Sequence, residues 1–121
     1  MNGKRIRVIQ TERMGEAQFL YSQLDTLLAS TRNQAVVGLV VDSARERGFG
    51  DYWGHLLVAR GASEICIEPS LAIWDYAALV PIVEEAGGRI TDFSGGPPRH
   101  KGSVLTTNGT LHRDVLRRLA G

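Results

Sequence analysis

An α/β fold, in which helices flank a mainly parallel or mixed sheet, is predicted by three features of this chain. Stretches with apolar residues at three- and four-residue spacing alternate with short β-branched or alternating runs, glycine-rich breaks separate them, and a 43% hydrophobic content over 121 residues suits one core. Alternating helices and strands bury their apolar faces best as stacked layers. There is no internal repeat and no low-complexity segment, and residues 1–121 read as a single domain.

The elements follow in order. Arg5 to Gln10 alternates charged and apolar residues, as a half-exposed strand does. From Glu16 to Ala29, Ala17, Leu20, Tyr21, Leu24, Leu27 and Leu28 recur at helical spacing, predicting one helix that Ser30 to Gln34 ends. Ala35 to Val41 is apolar almost throughout, which fits either a buried strand or a buried helix. Gly48 and Gly50 break the chain before Asp51, which can cap a helix carrying Tyr52, Leu56 and Ala59 and stopping near Gly61. Glu64 to Glu68 alternates like a strand, with Ile65 and Ile67 on one face.

Asp75 then opens an apolar helix that Pro81 should kink and Gly87-Gly88 should cap in the left-handed conformation. Arg89 to Phe93 is a strand, Gly95-Gly96-Pro97-Pro98 a loop, and Ser103 to Thr107 a further strand. After an Asn108-Gly109 turn, Thr110 can cap a last helix with Leu111, Val115, Leu116 and Leu119 on one face and Arg117-Arg118 at its C-terminal dipole.

Composition narrows the function. A net charge of +1 with no polybasic run argues against a nucleic-acid or membrane partner. No apolar run approaches the roughly 20 residues that span a bilayer, and the charged, polar start does not resemble a signal peptide, so a cytoplasmic protein is expected. The single cysteine, Cys66, lies in an alternating apolar stretch and reads as a buried structural thiol. His55 reads as a helix-packing residue and His100 and His112 as surface residues, since none has ligand spacing or a partnered nucleophile. Ser94 and Ser103 lack a nucleophile elbow. In GFGDYWG the glycines are spaced G-x-G-x-x-x-G, which is wrong for a dinucleotide fingerprint.

The segment with chemical content is WDYAALVPIVEEAGGRITDFSGG, Trp74 to Gly96. A carboxylate at a helix N-terminus is oriented by backbone N–H groups and suits a hard cation; read alone, Asp75 is more simply an N-cap. As a unit with Ala77-Ala78 and Glu85-Ala86-Gly87-Gly88, the segment resembles the C-terminal signature of the inositol monophosphatase family of magnesium-dependent phosphatases. The likeness extends through RERGFGDYWGHLLVARGASEICIEPS and GSVLTTNGTLHRDVL, where it is most like the bacterial histidinol-phosphate phosphatase branch. NGKRIRVIQTERMGEAQFLY is similar to the family's mid-protein strand and following helix. For Ala35 to Val41 the likeness favours a helix.

The resemblance implies the C-terminal subdomain of such a phosphatase and hydrolysis of a small phosphorylated metabolite with Mg2+, histidinol phosphate before inositol monophosphate. It implies that Asp75 ligates a metal, that Glu68 touches the substrate's polar body, and that Gly50-Asp51 is the turn bordering the substrate. Acidic groups there suit a substrate bearing an amine and an imidazole. Read from the residues alone, Glu68 before Pro69 is equally a solvated strand end, and Asp51 a plain helix cap. No catalytic residue is identified, because the Asp-Pro-x-Asp-Gly-Thr motif that holds the other metals is absent. The expected partner is therefore a missing N-terminal half, in the same chain or a second one, and self-association is expected if an apolar face is left open. The alternative is a non-catalytic module that oligomerises or binds a phosphorylated ligand.

Overall fold

The computed structural model describes residues 5–48 and 52–120. A five-stranded mixed sheet is covered by helices on both faces. The strands are β1 (Gln18–Tyr21), β2 (Arg45–Gly48), β3 (Ile65–Leu71), β4 (Arg89–Thr91) and β5 (Gly102–Thr107), in spatial order β2-β1-β3-β5-β4. β1 pairs in parallel with β2 and β3, while β5 pairs antiparallel with β3 and β4. The helices are α1 (Leu24–Ala29), α2 (Asn33–Asp42), α3 (Trp53–Ala59), α4 (Ile73–Glu85) and α5 (His112–Leu119). Among the described residues no helix is long and apolar enough to cross a membrane.

The strand period of two assigns each face its core. Phe19, Ile65, Ile67 and Leu105 pack with Val36, Leu39, Val115 and Leu119 of α2 and α5. On the opposite face, Leu20 and Cys66 meet Val58 of α3, and Val104 and Ile90 meet Tyr76, Leu79 and Val83 of α4. Gly54, in α3, is required by this packing: a Cβ there would lie 2.7 Å from Cys66 Sγ.

Several sequence expectations are corrected. Glu16 to Ala29 is not one helix but a 3-10 turn over Met14–Glu16, then β1, then α1, with Gln23 at φ 51 separating strand from helix. β1 is flanked by strands and covered on both faces, so Phe19 and Leu20 are both fully buried and its apolar residues follow no two-residue alternation. Arg5 to Gln10 forms no strand. It is an extended clamp in which Val8 N–H donates to Ala86 O at 3.0 Å and the Asn108 amide donates to Ile9 O and Thr11 O. β2 is an edge strand of Arg45, Glu46 and Arg47, a composition that suits an exposed edge and hides a strand from hydrophobic patterning.

α4 runs unbroken through Pro81, its buried face of Tyr76, Leu79 and Val83 offsetting the lost backbone donor. It ends as expected: Gly87, at φ +92, donates to Glu84 O, and Gly88 N–H donates to Val83 O, the paired bonds of a Schellman motif. Thr110 does not cap α5. The N-cap position is Leu111, which has no side-chain cap, and Asn108 Oδ1 braces the turn before the helix by accepting the Leu111 N–H at 3.1 Å. β3 extends past Glu68 to Leu71, with its register against β5 shifting between Glu68 and Leu71 where Pro69 has no N–H to give.

Candidate functional site

β3 and α4 are joined by Ala72 alone, so the chain turns from strand to helix between the two carboxylates of interest, Glu68 and Asp75. Their surroundings differ. Asp75 is not the N-cap of α4; Ala72 is, and Asp75 is the third helical residue, its N–H bonded to Ala72 O at 2.9 Å. Its half-buried side chain makes no hydrogen bond or ion pair among the described residues. It lines a cleft of about 170 Å³ with Tyr52, Leu56, Trp74, Ala78 and Ile82. The first-turn N–H groups around it favour negative charge.

His100 stays on the surface, as expected, yet it has a task there. Its Nδ1 accepts the Ile73 N–H at 3.0 Å, filling the capping role that Ala72 cannot, and its ring lies 5.3 Å from that of Trp74. Trp74 is 70% exposed beside Asp75.

Glu68 is buried within the sheet and does not line the cleft beside Asp75. One carboxylate oxygen accepts the hydroxyl of Ser22, and the other, Oε1, lies 3.5 Å from Nε2 of His55. His55 is fully buried on α3, with Nδ1 2.7 Å from Thr106 Oγ1. The solvated-strand-end reading of Glu68 therefore fails, and His55 does more than pack. Gly50 and Asp51, the other expected substrate residues, lie outside the described residues; α3 is entered from Tyr52.

Two further titratable groups are set by burial. The Cys66 thiol is pushed well up by burial and then by the Glu68 charge, consistent with an inert structural cysteine. His112 is not a surface residue: it is fully buried, with Nδ1 2.9 Å from Thr107 Oγ1 and Nε2 2.8 Å from Thr91 Oγ1. Burial, reinforced by Arg89, lowers its pKa to about 4.

Among the described residues no three His, Cys, Asp or Glu side chains group as a metal site. A magnesium ion is commonly held by one or two carboxylates, waters and substrate phosphate, so an unpartnered, cleft-lining Asp75 fits as one ligand of such an ion.

Residues 1–120 match the inositol monophosphatase family. The chain belongs to that family. Two histidinol-phosphatases are similar to this family member. That of Streptomyces coelicolor is 38% identical over 112 residues, covering 93% of this chain and 42% of that protein. That of Mycobacterium tuberculosis is 38% identical over 115 residues, covering 95% and 44%. The inositol monophosphatase of Anabaena superposes with a TM-score of 0.85 at 26% identity, over 98% of this chain and 49% of that one. The chain thus spans somewhat under half the length of the curated relatives it matches.

Proposed function

We propose that this family member acts in magnesium-dependent hydrolysis of a small phosphomonoester, histidinol phosphate in preference to inositol monophosphate, as the C-terminal half of the catalytic unit and inactive alone. The observation that carries the reading is Asp75: a carboxylate at the first turn of α4, unpaired within the described residues and facing a cleft. The likeness to histidinol-phosphatases supports the substrate class. When bound, the ion would neutralise phosphate oxygens and lower the pKa of an attacking water. The chain's own contribution is orientation. The α4 dipole and the His100 cap hold the first turn of the helix, and with it Asp75, in place.

The test is phosphate release from histidinol phosphate and from myo-inositol 1-phosphate, by the chain alone and mixed with the N-terminal half of a histidinol-phosphatase. The expected result is no release alone, release from histidinol phosphate on mixing, and a loss of roughly a hundredfold or more with Asp75→Asn, since metal stabilisation is worth several kcal/mol. Release by the chain alone, or release indifferent to Asp75→Asn, would overturn the reading.

A further inference from the structure

The resemblance makes Glu68 a substrate-facing acid, yet its carboxylate is turned inward. Oε1 of Glu68 and Nε2 of His55 are both closed to solvent, both without a hydrogen-bond partner among the described residues, and 3.5 Å apart, too long for a hydrogen bond but within ion-pair reach. Thr106 fixes the imidazole from β5, and Ser22, just past β1, holds the other carboxylate oxygen. If Thr106 donates to Nδ1, the ring proton is at Nε2 and faces Oε1. Three elements thus converge on one strand carboxylate, through a contact loose enough to exchange.

We propose that His55 is a positioning residue that parks Glu68 away from the ligand, and that a cationic group of the substrate, an ammonium or imidazolium, draws Oε1 out while Ser22 remains its pivot. This rests on the reading that Glu68 meets the substrate. Parking lowers apparent affinity in proportion to the fraction of chains in which Glu68 is free, so removing the parking partner tightens binding. The gain is larger for cationic ligands than for neutral ones, because a carboxylate makes its stronger hydrogen bonds to charged donors.

Two measurements test this, spectra of the purified chain and titrations of the chain mixed with the N-terminal half of a histidinol-phosphatase. In imidazole ¹H–¹⁵N spectra, the Nε2 signal of His55 is expected to move on Glu68→Gln and the Nδ1 signal on Thr106→Val; a Nε2 signal indifferent to Glu68→Gln overturns the parking contact. In calorimetric titrations with magnesium, His55→Leu is expected to bind histidinol phosphate about tenfold more tightly, the buried contact between His55 and Glu68 being the interaction released, and myo-inositol 1-phosphate about two- to threefold more tightly. His55→Gln, which keeps a donor, should bind like the native chain and guards against misfolding of the leucine variant. Weaker binding by folded His55→Leu overturns the proposal. If neither phosphate ester binds any form, the substrate reading fails, and the imidazole spectra still decide whether His55 holds Glu68.

Discussion

Acidification should unfold this protein partly through His112. In the folded chain both ring nitrogens are occupied by threonine hydroxyls inside the core, and the pKa falls from 6.5 to about 4. The unfolded chain binds a proton at the ordinary histidine value and the folded chain does not. The stabilisation is therefore complete above pH 6.5 and is lost as pH falls from there toward 4. A shift of this size corresponds to about 3 kcal/mol at roughly 1.4 kcal/mol per unit, a large part of a typical domain's stability. The assay is urea unfolding of the native chain and of His112→Gln at pH 7 and pH 4.5. The native chain is expected to lose about 2–3 kcal/mol more than the variant between the two pH values, because glutamine cannot titrate while the carboxylates are common to both. Equal losses would refute the reasoning and mean that His112 accepts its proton without leaving the core.

Two other outcomes follow from the packing. Gly54→Ala forces a methyl against Cys66 Sγ and should destabilise by about 1–3 kcal/mol in the same unfolding assay. His100→Ala removes the imidazole that accepts the Ile73 N–H and should lose about 1 kcal/mol, with earlier hydrogen exchange at the first turn of α4.

Where the sequence was legible, one physical signal dominated. α4 and its glycine stop were readable because Gly87 supplies the left-handed residue its C-terminus needs, and α5 because Leu111, Val115 and Leu119 share a stripe. β3 was readable in its alternation, Ile65 and Ile67 against Cys66. β1 was not, since a strand buried on both faces lacks that alternation, and β2 was not, since its charges suit an edge. His112 looked like a surface residue because its two threonine partners come from different strands, β4 and β5, which no local pattern joins. The same holds at the candidate site: Asp75 is singled out by the family resemblance, with α4 opening at Ile73 and not at Asp75, whereas the Ser22, His55 and Thr106 environment of Glu68 is assembled from positions 51 and 46 residues apart in sequence.

That difference bears on how the two carboxylates can act. Asp75 lines a cleft and, among the described residues, is held only through its backbone, so a hard cation can take its oxygen without displacing any bond seen there. Glu68 is already engaged, and any ligand that recruits it must outcompete a histidine. A neutral polyol offers a weaker replacement than an ammonium, because hydrogen bonds to charged donors are the stronger kind. If Glu68 meets the substrate as proposed, selectivity for a cationic phosphate ester arises in part from the contact with His55 that the ligand must replace.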